Sequence, residues 1–407
     1  MKTYLVGGAV RDKLLGLEPR EHDWVVVGSS PEEMLNLGYK QVGKDFPVFL
    51  HPESKEEYAL ARTERKTAPG YAGFDFHAAP DVTLEEDLLR RDLTINAIAE
   101  DGDGSLIDPF NGQQDIQDGV LRHVSPAFAE DPVRILRIAR FAARFARFGF
   151  KVAHGTNNLM REMVSNGEVD ALVAERVWKE LETALSEKHP QAFFKVLRGC
   201  GALEKLFPEI DALYGVPQPE HHHPEIDTGV HVMMVLEQSA RLSEDPLIRF
   251  AALTHDLGKG TTPESEWPRH IGHEKRSVQL VEQLCDRLKI PNDFRSLAKI
   301  TAEYHTHCHR AAELKAATML NVIEACDAFR KPVQFENYLL ACTADIRGRP
   351  GYEEDEYPQA DLFRRAYTAA NAVSTKAIIE AGFEGAAIRD ALQKQRIKAI
   401  KEVLGKN

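Results

Sequence analysis

Near Asp131 the chain changes its pattern. Residues 4–110 alternate short strand-like runs (Tyr4 to Val6, Trp24 to Val27, Glu57 to Ala61, Leu106 to Ile107) with helical stretches, whereas amphipathic helical patterns follow almost without interruption from about Asp131 onward. This change constrains the fold more than any other feature. Strands alternating with helices build a mixed layer, while successive amphipathic helices bury their apolar faces only against other helices. With 407 residues, too many for one ordinary core, the two patterns are expected to form separate domains. The predicted fold class is an α+β N-terminal head, a mixed sheet with helices, followed by an all-α neck or body and a further all-α domain. One helix is well marked: Ser30 can cap it, Pro31 fits its first turn, Glu33 completes a Ser-x-x-Glu box and Gly38 follows its end. The proline- and histidine-rich stretch at 214–227 is the expected linker.

No apolar run approaches the roughly 20 residues of a membrane-spanning helix. The opening MKTYLVGGAVRD reads as a strand entering a glycine turn, not as a secretory signal, so a cytoplasmic protein is expected. Cys200, Cys285, Cys308, Cys326 and Cys342 lack C-x-x-C spacing and are odd in number, which predicts buried reduced thiols without disulfides or a zinc knuckle. A net charge of -12 argues against a protein that coats nucleic acid indiscriminately, since such binding neutralises many phosphates with Lys and Arg, but it leaves room for a local basic surface.

In EHDWVVV, residues 21–27, Glu21 and Asp23 project from one face of a strand mouth while His22 points away. Adjacent like charges repel. A divalent cation between them removes the repulsion, and Mg²⁺ favours one or two carboxylates plus the phosphates of a substrate. Upstream, Gly7 and Gly8 let backbone N–H groups approach a triphosphate, and Arg11 can fork onto it. Glu57 supplies a third carboxylate if its strand lies beside the first; an exposed edge-strand charge is the competing reading. In EEDLLRRDLTINAIA (85–99), Arg90, Arg91, Asp92 and Asn96 suit phosphate and ribose contacts, although a plain surface helix has the same pattern. Arg134, Arg137, Arg140, Arg144 and Arg147 then recur along one side of a helix with no acid interleaved, unlike a solvated face. Asp131 and Arg134 pair an acceptor with a planar donor fork that can match the edge of a base.

Ten of the 16 histidines lie from residue 221 onward. LTHDLGKG (253–260) sets His255 beside Asp256 in an apolar helix, a costly arrangement unless ligated. Imidazole with carboxylate suits Ni²⁺, Mn²⁺ or Co²⁺ as well as Mg²⁺. His270 and His273 are spaced to share a helix face, and His305 is a further candidate for a second metal or a phosphate contact. For each of these a hydrogen-bonded core or surface histidine is the bland alternative. His221 to His223 read as linker.

YLVGGAVRDKLLG, the carboxylate pair, RRDLTINAIA, IDPFNGQQDI, EDPVRILRIARFAARF and ERVWKELE follow one another as they do in the bacterial class II nucleotidyltransferases. Across essentially its whole length the chain resembles the bacterial tRNA CCA-adding enzymes that carry an HD domain. The order His231, His255–Asp256, Asp345 also resembles that of the HD phosphohydrolases. The resemblance implies an enzyme that builds or repairs the 3′ CCA of tRNA from CTP and ATP without a nucleic acid template, by Mg²⁺-dependent nucleotidyl transfer. Glu21 and Asp23 would be the catalytic metal ligands. Gly8, Arg11, Arg91, Arg137 and Arg140 would bind the triphosphate of ATP or CTP, with Asp92 counted beside them from its own motif, and Asp131 and Arg134 would read the base. The family usually has Asp-x-Asp where this chain has Glu-x-Asp, and the extra methylene of Glu21 moves its oxygens.

His231, His255, Asp256 and Asp345 would hold Ni²⁺ or another divalent transition metal. His255 and Asp256 would be catalytic in hydrolysing 2′,3′-cyclic phosphates, 2′-nucleotides and other phosphate esters. The implied division is a nucleotidyltransferase head or palm at 1–140, a helical neck and body binding nucleotide and tRNA at 141–220, an HD domain at 221–350 and a helical tail at 351–407. Expected partners are the tRNA acceptor end, ATP and CTP, with no membrane, in a monomer or homodimer. Two alternatives remain: a bacterial poly(A) polymerase of the same fold, against which the short, mildly basic tail counts, and a nucleotide-sensing regulator whose degenerate head controls an HD effector.

Overall fold

The structure is a computed structural model. It describes all residues except 20, 43–47, 67–73, 222–223 and 406–407, and leaves aside the side chains of 64–66 and 74–76. The chain forms two compact units, Met1–Glu180 with Ala192–Lys205, and Leu181–Gln191 with Leu206–Asn407.

In the first unit, β1 (Lys2–Val6), α1 (Gly8–Leu14), β2 (Asp23–Val27), α2 (Pro31–Asn36), β3 (Lys40–Val42), β4 (Val48–Leu50) and β5 (Glu57–Leu60) are followed by a separate ribbon of β6 (Thr63–Lys66) and β7 (Phe74–His77). Then come α3 (Leu84–Leu89), β8 (Ala99–Glu100), β9 (Leu106–Ile107), α4 (Gly112–Asp118) and α5 (Val133–Phe145). The sheet order is β3-β4-β5-β2-β1-β8-β9, with β2 and β5 parallel and the other pairs antiparallel. This is the mixed sheet with helices expected of the head. Both faces of its centre are covered. Tyr4, Val6 and Val25 join Leu88 and Ala97 in one cluster, while their neighbours Leu5 and Val26 pack into others with Ala9, Val10 and Ile98 or with Met34 and Phe49. Period-2 alternation sends adjacent residues to opposite faces, so each strand must be apolar on both.

Local details depart from the sequence reading. Ser30 does accept from the Glu33 backbone N–H, but the Glu33 carboxylate takes the Ser29 hydroxyl at 2.7 Å, so no reciprocal box closes there. The reciprocal box is at Thr83 and Glu86, heading α3. The surface-helix alternative for RRDLTINAIA is overturned, because Thr94–Asn96 is a single 3₁₀ turn whose residues are all buried.

In the second unit, the described residues form helices and one isolated bridge, Pro217 to Asp227. That bridge and the Gln218 N–H donating to the Ile226 carbonyl at 2.7 Å close residues 214–227 into a loop. His222 and His223 lie outside the described residues. Helix Thr228–Leu242 packs on Pro332–Arg347, and Pro246–Thr254 packs on Asn292–His309, around a core that includes Ile248, Leu297, Met319, Phe335 and Phe363. All five cysteines are free and buried, as their spacing suggested.

Candidate active sites

In the antiparallel register Val6 faces Asp23, so the turn at Gly7 and Gly8 lies at the same end of the sheet as the carboxylate pair. Gly7 has φ +68°, and a β-carbon there would come 2.8 Å from Arg91 Nη1. The left-handed backbone is what requires glycine, whereas the guanidinium tip could swing aside. On the other side of β2 the parallel partner of Asp23 is Glu57, so the strand reading of Glu57 holds and three carboxylates gather at one strand end. Burial raises the Asp23 carboxyl above its ordinary value, Arg91 opposes this and Glu21 adds to it. A repelled carboxylate group of this kind, all oxygen donors beside a glycine turn, fits Mg²⁺.

Behind this mouth lies a buried ionic lattice. Arg11 donates through Nε and Nη2 to Asp12 at 2.9 and 2.8 Å and through Nη1 to Asn96, with its plane over Phe141 and Phe145. Each of its guanidinium nitrogens is therefore used inside the protein in this structure. Asp87, fully buried, accepts from Arg90 Nη2 at 2.6 Å and Arg91 Nη2 at 3.2 Å. Asp92 accepts from the Leu93 N–H and Asn96 Nδ2, both at 2.9 Å, and from Arg137 Nε at 2.7 Å. Burial by itself would raise the Asp92 carboxyl, but Arg137 and the hydrogen bonds from Asn96 and Arg137 hold it well below the usual range.

The arginine stripe on α5 is balanced after all, by acids from other elements. Arg137 meets Asp92, Arg140 meets Glu180 at 2.6 Å and Arg144 meets Asp12 at 2.7 Å, while exposed Arg147 lies over Phe148. Phe141 lies along the stripe, with Arg137 and Arg140 stacked over its ring. Asp131 and Arg134 share the start of α5 but lean on different partners. Asp131 accepts from the Val133 N–H and Arg176 Nη2, and Arg134 donates to the carbonyls of Ala127 and Arg90. Arg176, Glu180, Asp12 and Asp87 were not singled out from sequence, because only folding brings them to these arginines.

In the second unit, His231 on helix Thr228–Leu242, His255 and Asp256 after helix Pro246–Thr254, and Asp345 on helix Pro332–Arg347 converge in the interior. Asp345 Oδ1 lies 3.1 Å from His231 Nε2, and His255 Nε2 lies 3.2 Å from Asp256 Oδ2 and 3.5 Å from Asp345 Oδ2. Burial alone would lower the His255 imidazole, but Asp256 and Asp345 raise it to about 9. His255 Nε2 and Asp256 Oδ1 are buried without a hydrogen-bond partner. Orphaned atoms within a nitrogen and carboxylate donor set fit a divalent transition metal.

The fold adds further partners. His309 Nε2 reaches Asp345 at 2.7 Å and its Nδ1 reaches the Tyr357 hydroxyl; Glu225 lies 2.9 Å from His231 Nδ1; Lys259 Nζ lies 2.6 Å from Asp256 Oδ2. The four-residue spacing of His305 and His309 on one helix was the available signal for His309. His270 does not join His273 at the cluster. Its two nitrogens meet Thr262 and the Pro217 carbonyl, so the core-histidine reading holds for it. A β-carbon on Gly258 would come 2.2 Å from the His273 carbonyl and 2.6 Å from the Ser277 nitrogen. Gly258→Ala is therefore expected to cost about 2–3 kcal/mol, a fall of roughly 4–12 °C in thermal melting of a unit this size.

Three family models match the chain in order: poly A polymerase head domain at residues 3–122, probable RNA and SrmB-binding site of polymerase A at 149–214, and HD domain at 228–331. Fold and sites thus define a poly(A) polymerase-type nucleotidyltransferase head joined to an HD unit, a class that carries divalent-metal dependence in both parts. The multifunctional CCA protein of Thioalkalivibrio sulfidiphilus is 65% identical over 403 residues, covering 99% of this chain and 98% of that protein. That of Nitrosococcus oceani is 62% identical over 99% of each. The chain belongs to the multifunctional CCA protein family. The Thermotoga maritima CCA-adding enzyme complexed with tRNA shares the fold with a TM-score of 0.64 at 20% identity, covering 99% of this chain and 90% of that one. No helix among the described residues is long and apolar enough to cross a membrane.

Proposed function

We propose that this chain adds and repairs the 3′-terminal CCA of tRNA from CTP and ATP without a nucleic acid template, and that its HD unit hydrolyses 2′,3′-cyclic phosphates, 2′-nucleotides and other phosphate esters. The observation that carries the first part is the register that sets the Gly7–Gly8 turn against Glu21 and Asp23, in a chain 65% identical over nearly its full length to a multifunctional CCA protein. Glu21 and Asp23 hold Mg²⁺, with Glu57 within reach as a further carboxylate. Mg²⁺ bound there supplies charge neutralisation along the triphosphate and acidifies the attacking 3′-hydroxyl. The protein's own part is positioning. Gly8 backbone and Arg91 take phosphate oxygens, Arg137 and Arg140 project from a buried lattice whose fixed members are Arg11 and Asp92, and Asp131 and Arg134 read the base. The proposal assigns the head to 1–140, the neck and body to 141–220, the HD domain to 221–350 and the tail to 351–407, in a cytoplasmic monomer or homodimer.

At the HD site His231, His255, Asp256 and Asp345 hold Ni²⁺ or another divalent transition metal, which supplies Lewis acidity toward the phosphoester and its attacking water. Glu225 and His309 orient those ligands. The protein incubated with tRNA lacking CCA, Mg²⁺, CTP and ATP is expected to extend it by three nucleotides and stop. A growing run of A would establish poly(A) synthesis instead, and binding of CTP and ATP without turnover would favour the regulator. With tRNA ending in a 2′,3′-cyclic phosphate, His255→Ala should slow repair by at least about tenfold to a hundredfold, the range for losing even an outer partner of a metal ligand. Unchanged repair would remove the HD unit from the pathway.

A further inference from the structure

A carboxylate shut away from solvent stands behind the nucleotide arginines. Asp87 is 0% exposed, and both of its oxygens accept hydrogen bonds. Oδ1 accepts from Arg90 Nε at 3.2 Å, from Arg90 Nη2 at 2.6 Å and from the Arg62 N–H at 3.3 Å. Arg90 Nε also donates to the Arg62 carbonyl at 3.1 Å, so this half of the carboxylate is anchored to the chain just before β6. Oδ2 accepts from Arg91 Nη2 at 3.2 Å. The local fold sets these relations. Thr83 and Glu86 cap α3, and Arg90 and Arg91 follow Asp87 by three and four residues, the spacing at which side chains along a helix meet. Burial alone would raise the Asp87 carboxyl, but Arg90 and Arg91 hold it below its ordinary value, so it is charged at neutral pH. Replacing such a buried ion pair by apolar side chains is often neutral or stabilising. Stability alone therefore gives little reason for a carboxylate at this position.

Arg91 receives the direction that this anchor fixes. Its other terminal nitrogen, Nη1, donates to the Asn96 carbonyl at 3.4 Å and lies beside Gly7 at the glycine turn, and its charge acts on the Asp23 carboxylate. The side chain keeps 19% of its surface exposed. A long arginine here loses freedom when a triphosphate binds, unless its direction is already set. We propose that Asp87 is a positioning residue of the nucleotide site, which through Oδ2 holds the Arg91 guanidinium against the Gly7 turn for the triphosphate of either CTP or ATP. The inference rests on reading Arg91 as a phosphate contact. Base choice is a separate matter, because Arg134 meets Arg90 at its backbone carbonyl and not at the side chain that Asp87 holds. The effect of Asp87 is therefore the same for both nucleotides.

The test is steady-state kinetics of the full-length chain, with CTP on tRNA lacking CCA and with ATP on tRNA ending in CC, for Asp87→Asn, Arg91→Ala and the double variant. Asp87→Asn removes the charge and keeps the shape. It is expected to raise KM for CTP and for ATP by the same factor, about tenfold to a hundredfold, the effect of one hydrogen bond to a charged group. kcat should be largely kept, the pattern of lost binding and not of lost chemistry. Added to Arg91→Ala, the same substitution should raise KM no further, because no guanidinium remains to be aimed. Circular dichroism reports whether each variant is folded. Asp87→Glu, which keeps the charge and moves the oxygens, serves if Asp87→Asn is not, with the same rise in KM expected. An unchanged KM, a rise for one nucleotide alone, or a rise of equal size with and without Arg91 would overturn the positioning role. Arg91→Ala with unchanged KM would instead remove Arg91 from the triphosphate, and the proposal with it. Wild type that adds no nucleotide would sink the reading of the head itself.

Discussion

Asp23→Asn is expected to lower nucleotide addition by about three orders of magnitude while leaving the fold intact. A metal at a transferring phosphoryl group contributes several kcal/mol of transition-state stabilisation, and about 4 kcal/mol corresponds to roughly a thousandfold in rate. The stability effect runs the other way. Burial and the neighbouring Glu21 disfavour the charged form of Asp23 more than Arg91 and His22 favour it, so an uncharged isostere relieves repulsion. Thermal melting without Mg²⁺ should be unchanged or slightly higher in the variant. Wild type alone should then gain stability as Mg²⁺ is added, since a ligand that binds only the folded state raises its stability. A variant that retains most of its CCA-adding rate would take Asp23 out of the metal site, and one that melts early without Mg²⁺ would make Asp23 a structural residue.

That opposition between activity and stability explains why the head site was legible in sequence. Glu21 and Asp23 stand side by side at a strand mouth because they lie two positions apart with His22 between them, a relation contained in seven consecutive letters. The same holds for His255 and Asp256, adjacent at the end of an apolar helix. β1, β2, β5 and the short β9 were legible for a related reason: each is an apolar run bounded by polar or turn residues. β3 and β4 were not, because three residues such as Lys40–Val42 carry too little alternation to distinguish a strand from a loop.

What the sequence hid was the partner of each conspicuous residue. The arginines of α5 looked unbalanced because Asp12, Asp92 and Glu180 answer them from other elements. His231 and Asp345 were found only through family order, and Glu225 beside His231 had no local signal, since it belongs to the stretch that read as linker. Arg11 shows the same limit from the other side. An arginine after two glycines suggests a phosphate fork, yet the fold surrounds it with Asp12, Asn96 and two phenylalanine rings. Spacing reports which residues share an element's face, and it is silent on which element will cover that face.

Asp92 tests the buried lattice directly. Asp92→Ala leaves Arg137 without its carboxylate, and the Leu93 N–H and Asn96 amide without an acceptor. Removing one partner of a buried ion pair costs about 3–5 kcal/mol. Arg137 keeps 38% of its side chain exposed and can rehydrate, so the lower end, about 3 kcal/mol, is expected here. In a unit of this size that is roughly 6–12 °C of melting temperature. The pH dependence has a defined sign. Because the folded Asp92 carboxyl is held well below its ordinary value, its stabilisation is fully present above the unfolded value of about 4 and is lost as pH falls from there toward the folded value. The gap in melting temperature between wild type and Asp92→Ala should therefore be widest near neutrality and close on acidification below about pH 4. KM for ATP and CTP should rise in the same variant, because Arg137 no longer has a fixed direction. A gap independent of pH would mean that Asp92 acts through packing and not through its charge, and the lattice would then have no part in aiming Arg137 at the nucleotide.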